Sequence, residues 1–428
     1  MPRRIGWHIR ENAPWPGAPR GLEPRGDVWL AGRGELEALR GALERLLGGG
    51  AAGPVRRVLQ GNVLLHRIPS QYREFAVEVW GHGLRLGSAE ILPGGEWTFY
   101  PSGALASLLV GAGLEPVRVA ARGRLKGKRV RLESCGPELV IVSQGRHVGP
   151  ARRLRGCTYR VRDMAPRGFR LLPSTGRREA VEANRAHIER LAAEAREFIR
   201  AHAGEARVHV AVSGGADSSA AAVLAVQALG PDRVTLVYAD TGMEPPENRR
   251  TVERLASWLG ARLDIVESPV DPLEEIRRRG LMTRDNRWCT RILKLAPLAR
   301  YYRRAGARIV VDGARMLESQ NRARLPRSGV NPLIPFVRRI LPIHSWTRLE
   351  VQLLLWKEGA PVNPLYEEGF TRLGCMVCPA MSLHELRLAS RLYPGFYERL
   401  ARASGLSVED LLRGGWRRSR GARGNGFI

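Results

Sequence analysis

A chain of 428 residues exceeds one ordinary domain, and a hydrophobic content of 44% can fill two or three cores. No run of about 18 apolar residues appears, the first residues MPRRIGWHIREN lack an apolar core, and five cysteines are too few for a disulfide scaffold, so a soluble cytoplasmic protein is expected rather than a membrane or disulfide-rich one. The net charge of +27, with only four Lys among 69 basic residues, points to polyanions, because the Arg fork suits phosphates and stacks on bases; a base-composition bias towards Arg is the competing explanation.

Residues 1–54 carry loop-like Gly6-Trp7-His8 and Pro24-Arg25-Gly26-Asp27, then one amphipathic helix over Glu35–Leu47, closed by Gly48-Gly49-Gly50. His8 is read as a packing residue. Residues 55–165 change to short alternating runs, Phe75–Trp80, Trp97–Tyr100, Val117–Ala121, Leu139–Val142 and Tyr159–Val161, with one helix near Gly103–Val110: a small mixed β domain. Cys135 and Cys157 within it are read as separate buried apolar residues. A Pro/Gly linker and a long helix, Arg177–His202, fill residues 166–205.

From 206 to 400 the rhythm is strand–loop–helix, with strands Val208–Val212, Val234–Tyr238, Arg262–Glu267 and Arg308–Asp312 and helices including Glu247–Leu259 and Lys294–Arg304. Strands alternating with helices predict a doubly wound parallel sheet, whose ligands sit at the carboxyl ends of the strands. After Leu341 the chain reads as helical, through Thr347–Glu358 and Leu383–Ala403. Residues 401–428 form a basic tail, Arg/Gly-rich over Arg413–Arg423 and expected to be mobile.

The run Val208–Val212 drives into Ser213-Gly214-Gly215-Ala216-Asp217-Ser218-Ser219 and a helix start. Two glycines let a backbone approach an anion, the helix N-terminus points N–H groups at it, Ser213, Ser218 and Ser219 add donors, and Asp217 can face a Mg²⁺ carried by phosphates. A serine-capped glycine turn is the plain alternative.

SGG-x-DS resembles the pyrophosphate loop of the adenine-nucleotide α-hydrolase (PP-loop ATPase) superfamily. Tyr238-Ala239-Asp240-Thr241-Gly242 with Glu244 and Glu247, Gly313-Ala314-Arg315 with Glu318 and Arg322, Asn363-Pro364-Leu365-Tyr366 and Gly374-Cys375-Met376-Val377-Cys378-Pro379 are similar to the phosphoadenosine phosphosulfate (PAPS) reductase branch over roughly residues 205–400. The segment Tyr100–Leu154, with Arg122–Lys128 and Gly145–Gly149, resembles a PUA domain, an RNA-binding β-barrel; a structural appendage with a basic rim is the alternative. Archaeal members of the branch begin with a zinc ribbon, and residues 1–54 hold no Cys for one.

The resemblance implies ATP with Mg²⁺ at Ser213, Gly214, Gly215, Asp217, Ser218 and Ser219, with Asp240, Thr241 and Gly313 near the nucleotide and Arg315 neutralising developing phosphate charge. A structural pair with Glu318 is the other reading of Arg315. Ala216 stands where several members carry Lys. Assimilatory reductases hold a four-iron four-sulfur cluster on a Cys-Cys pair and a downstream CxxC. Here Cys289, Cys375 and Cys378 remain and Thr290 replaces the second Cys, as in three-cysteine clusters of tRNA thiolases. A redox thiol pair, or zinc completed by His384 or His344, stays open. The retained loop and the absence of any Cys after Cys378 favour ATP-dependent adenylation of an RNA base, tRNA above all, followed by sulfur transfer from a donor protein. Reduction of a sulfonucleotide is the alternative, and a non-catalytic nucleotide- and RNA-binding protein a third.

Overall fold

A computed structural model describes residues 6–15, 26–68 and 75–418, and the chain divides into two compact units, Met1–Arg185 and Ala186–Ile428. In the first unit β1 (Gly6–His8) pairs with β2 (Ala13–Trp15), and the His8 ring rests on Trp15 at 5.9 Å, a packing contact. Next come β3 (Val28–Leu30), α1 (Arg33–Leu47), α2 (Ala52–Val58), β4 (Leu64–Arg67), β5 (Ala76–Gly81), β6 (Leu84–Ile91), β7 (Trp97–Pro101) and α3 (Gly103–Gly111). The five strands pair antiparallel in chain order. Glu35 fixes the start of α1, its carboxylate accepting from Gly32 N at 3.0 Å and Trp29 Nε1 at 2.9 Å. Leu39, Leu43 and Leu46, at i, i+4 and i+7, lie in one core with Val77, Leu86, Phe99 and Leu105, so this core takes in residues on both sides of position 54.

The rest of that unit holds β8 (Val117–Arg118), β9 (Arg129–Arg131), β10 (Leu139–Gln144), β11 (His147–Arg155), β12 (Thr158–Val161) and β13 (Ala165–Pro166). They form a six-stranded sheet in the order β8-β10-β11-β12-β9, with β13 beside β11. Val130, Val142, Ala151, Tyr159 and Val161 fill its inner face. Cys135 and Cys157, expected as separate apolar residues, form a disulfide across 22 residues. Pairing of β9 with β12 brings them together, Cys157 directly preceding the paired Thr158 and Cys135 following its partner Arg131 by four residues.

Helix α4 (Arg177–Ala203) leads to the second unit. That unit contains β14 (Val208–Val212), α5 (Ala216–Leu229), β15 (Val234–Asp240), α6 (Pro246–Leu259), β16 (Arg262–Glu267), α7 (Pro272–Arg279), a π-helical turn Thr290–Leu295, α8 (Ala296–Arg304) and β17 (Ile309–Asp312). It continues through α9 (Gln320–Ala323), β18 (Ser328–Asn331), β19 (Ile334–Ile340), α10 (Arg348–Glu358), α11 (Leu383–Leu392), α12 (Pro394–Ser404) and α13 (Val408–Arg413). The sheet order is β16-β15-β14-β17-β19-β18, parallel throughout except for the edge strand β18, which is antiparallel to β19. The expected doubly wound parallel sheet is present. Strand order reverses direction at β14, and β14/β17 is the switch point at which such sheets open a crevice.

Two further expectations are corrected. One helix over Leu383–Ala403 becomes α11 and α12, because Pro394 has no N–H to continue a helix and instead opens the next one. Part of the basic tail is packed: Leu411 is buried, and Arg417 is 4% exposed with its guanidinium on the Met381 carbonyl. Residues 419–423 of the expected mobile stretch lie outside the described residues. Among those described, no helix is long and apolar enough to cross a membrane.

Candidate nucleotide-binding site and thiol pair

Strand β14 ends at Val212, and the chain turns through Gly214 at φ +76° before Gly215 caps α5. A side chain at Gly214 would have that φ to contend with and would also strike the backbone of Asn248, at 2.6 Å from its carbonyl oxygen. The serines stitch the turn: Ser218 Oγ accepts from Ser213 N at 3.1 Å and donates to Gly215 O at 2.9 Å, and Ser219 Oγ donates to the same carbonyl at 3.1 Å. On the other side of the switch point, Gly313 follows β17 so closely that a Cβ there would lie 2.5 Å from Asp217 O.

A cavity of about 220 Å³ opens at this point. Ser213, Ser218, Asp312, Gly313 and Glu318 line its polar side, Val237, Leu298, Val310, Ile334 and Val337 its apolar side, and Lys294, Arg322 and Arg339 bring positive charge. The π-helical turn delivers Lys294, one extra residue per turn shifting the side-chain phase. Lys294, Asp312 and Arg339 were not singled out in the sequence. The usable signal was position, because Asp312 is the last residue of a strand whose carboxyl end borders the switch point.

Asp217 and Arg315 meet. Arg315 Nε lies 2.9 Å from Asp217 Oδ1 but off the N–H direction, so the contact is an ion pair rather than an aligned hydrogen bond. Arg315, 2% exposed, also donates to Trp346 O at 3.2 Å. Glu318, the partner expected in the structural reading, accepts from the Arg315 backbone N at 2.9 Å, and burial together with the Asp217 charge pushes its carboxyl up. Asp217 keeps a quarter of its side chain exposed and would hold a cation brought in by phosphates.

Asp240 ends β15 and Thr241 follows it into the turn. Neither lines the cavity. The Thr241 hydroxyl donates to the Glu244 carboxylate at 2.8 Å, while Asp240 accepts from Gly242 N at 3.0 Å and pairs with Arg249 at 3.4 Å. They shape the turn after β15. Conversely, the Asn363–Tyr366 segment supports the glycine loop: Asn363 Nδ2 donates to Gly214 O at 3.1 Å, and Ala216 N donates to the Tyr366 hydroxyl at 3.0 Å.

Cys375 and Cys378 lie in one turn, with Cys378 N donating to Cys375 O at 3.3 Å, and Cys289 is buried in the same hydrophobic cluster. The hydrogen bond from Cys375 holds the Cys378 thiol down to about 5, helped by Arg372 and Arg287 against the effect of burial; Arg287 Nη2 is 4.0 Å from Cys378 Sγ. The same bond, with burial, pushes Cys375 well up. The cavity beside the pair measures about 10 Å³, the size of one water. Among the described residues no group of three or more His, Cys, Asp or Glu is arranged to hold a metal. Cys289 is nonetheless near enough for its charge to raise the Cys375 thiol, so the three cysteines share one neighbourhood, while neither His384 nor His344 joins them in such a group. What the geometry pairs is Cys375 with Cys378, in one turn. The ultraviolet absorbance of one thiolate is expected at neutral pH, disappearing as the pH falls through about 5 and missing in Cys378→Ser. A first thiolate appearing only near the free-cysteine value of about 8.5 contradicts this.

Residues 207–381 match the family model described as the phosphoadenosine phosphosulfate reductase domain. The chain is 37% identical over 194 residues to an uncharacterized protein of Methanocaldococcus jannaschii, covering 45% of this chain and 40% of that protein. A second uncharacterized protein of the same organism is 28% identical over 316 residues, 69% of this chain and 74% of its own. An adenosine 5'-phosphosulfate reductase of Deinococcus radiodurans is 29% identical over 159 residues, 34% of this chain and 56% of that enzyme. Among solved structures, the PAPS reductase of Candida auris in a phosphate complex aligns with a TM-score of 0.36 at 22% identity, over 44% of this chain and 94% of that one. The U34-tRNA thiolase NcsA of Methanococcus maripaludis with its 4Fe-4S cluster aligns with a TM-score of 0.33 at 16% identity, over 53% and 80%. The chain thus spans 40% of the first of these relatives and 56% of the Deinococcus radiodurans reductase. The residues that build the glycine loop, the switch-point cavity and the CxxC turn fall within 207–381, the stretch that matches the phosphoadenosine phosphosulfate reductase domain model.

Proposed function

We propose that this domain binds ATP along Ser213–Ser219 and adenylates an RNA base, a tRNA base above all, for replacement of its oxygen by sulfur. The observation that carries the reading is the complete glycine loop opening on the switch-point cavity. At about 220 Å³ the cavity is smaller than the roughly 300–1,000 Å³ of drug-sized sites, which suits a base and ribose with the phosphates running out along the loop. Its apolar wall takes the base, and Ser213, Ser218 and the start of α5 face the phosphates. Mg²⁺ beside Asp217 would neutralise phosphate charge. The base carbonyl oxygen attacks the α-phosphorus and pyrophosphate leaves; a sulfide delivered by the donor then attacks the activated carbon and AMP leaves with the oxygen. Buried Arg315 faces Asp217 at the loop, placing positive charge where negative charge develops. The β-rich residues 55–165, read as PUA-like, supply the RNA contact.

Titration calorimetry tests the nucleotide. ATP with Mg²⁺ should bind, and PAPS should bind more weakly. PAPS bound tightly with ATP not bound at all overturns the reading in favour of sulfonucleotide reduction. That second reading draws on the family match and on the paired Cys375 and Cys378 thiols.

A further inference from the structure

Strands β11, β12 and β9 are adjacent, and their registers place like charges opposite one another. Arg160 pairs with Arg129 on one side and with Arg152 on the other. The next row in the same direction reads Arg131, Thr158, Arg155, the last brought into register by a bulge after Arg153. Alternation explains the segregation: Val130, Tyr159 and Val161 point into the core, which sends Arg129, Arg131 and Arg160 to the outer face.

Directly opposed like charges are destabilising in a sheet, with Cβ atoms about 4.5–5.5 Å apart. The chain does little to offset this row. Arg152 has Glu138, at 2.6 Å, and stacks over the Tyr100 ring at 5.2 Å. Among the described residues no ion pair joins Arg129, Arg131, Arg155 or Arg160 to a carboxylate. The Nε of Arg160 is shut off from water with no hydrogen-bond partner, an unmet donor that the chain itself leaves in place. Residues 117–167 carry 14 Lys and Arg against three acidic residues, so the patch cannot be neutralised locally.

A single small anion relieves one or two of these charges. A polymer with regularly spaced phosphates relieves both rows at once, since rows two residues apart on a strand stand about 6.6–6.8 Å from each other. Guanidinium forks bind phosphate bidentately, and Tyr100, 39% exposed beside Arg152, offers a ring to an unpaired base. We propose that the outer face of β9, β12 and β11, built on the cross-strand row Arg129–Arg160–Arg152, docks the phosphate backbone of a structured RNA. The choice of RNA over DNA rests on the adenylation reading above.

The test uses the full chain and deacylated total tRNA. Arg129→Ser/Arg131→Ser/Arg160→Ser should lower tRNA affinity at least tenfold and reduce the slope of log affinity against log salt by roughly two to three, at about 0.7–0.9 per phosphate contact. Arg190→Ser/Arg250→Ser/Arg413→Ser, which removes the same charge from ion-paired surface positions of the other unit, should change neither by much. If the serine variant fails to fold, the corresponding triple Arg→Lys variant serves: it should keep the slope and lose affinity. Equal losses in patch and control variants overturn the proposal. So does an unchanged slope in the patch variant, or patch-dependent binding to phosphatidylserine vesicles without tRNA binding. Patch variants should bind ATP as the parent does. Parent protein that binds tRNA through the patch but no ATP sinks the adenylation reading alone; ATP binding without patch-dependent tRNA binding sinks this one alone.

Discussion

Gly313→Ala should cost the second unit on the order of 3 kcal/mol and abolish nucleotide binding. The added methyl would meet Asp217 O at 2.5 Å, Asp217 C at 2.6 Å and Ser218 N at 2.8 Å. All three are backbone atoms of the first turn of α5, so no side chain can swing aside. Either β17 or α5 must shift, and the switch point between β14 and β17 is where both walls of the cavity are anchored. Gly374→Ala is the matched control, because nothing lies within 4 Å of a Cβ there; its effect should stay below about 1 kcal/mol. Thermal melts and ATP calorimetry on both variants check the pair. A Gly313→Ala protein that melts and binds like the parent would show that the loop and β17 do not pack as described.

Asp217→Ala should destabilise as well as impair binding of ATP with Mg²⁺. Arg315 is almost wholly buried, and removing Asp217 takes away one of the carboxylates that face its guanidinium, Glu318 remaining nearby. Breaking such a pair costs about 3–5 kcal/mol, and the lower end is expected because Arg315 keeps its bond to Trp346 O and Asp217 is partly exposed. Adding Arg315→Met should recover part of the loss, the signature of two coupled residues in a double-mutant cycle. Nucleotide binding should stay impaired in both. Unchanged stability with lost metal-dependent binding would instead make Asp217 a cation ligand only.

The sequence made the nucleotide half of the second unit readable because its signals are local. A β-branched run, a glycine turn and an alanine-rich helix start predict β14 and α5 without any distant contact, and Val208–Val212 and Arg262–Glu267 match the strands residue for residue. The hairpin β18–β19 was missed because Ile334-Pro335-Phe336-Val337-Arg338-Arg339-Ile340 breaks strict alternation, with exposed Pro335 and Phe336 side by side. The Cys135–Cys157 bond was missed because the two residues approach only once β9 has found β12. Asp240 and Thr241 show the opposite limit. A motif marks where a turn lies, but whether its side chains face a ligand or close the turn depends on Glu244, Gly242 and Arg249. The cysteine spacing likewise located the CxxC turn without fixing what surrounds it, which here is a water-sized space.

The bond from Ala216 N to the Tyr366 hydroxyl carries a consequence for binding energetics. That amide has one proton, and a phosphate oxygen seated at the first turn of α5 competes for it. The protein thus supplies an occupant of its own for that amide, a phenol held in place by the same short segment whose Asn363 braces Gly214. A ligand that displaces the phenol would remove one of the two bonds by which residues 363–366 hold the glycine loop, leaving the Asn363 bond to Gly214. Measured affinity would then be a difference between two occupants of one N–H.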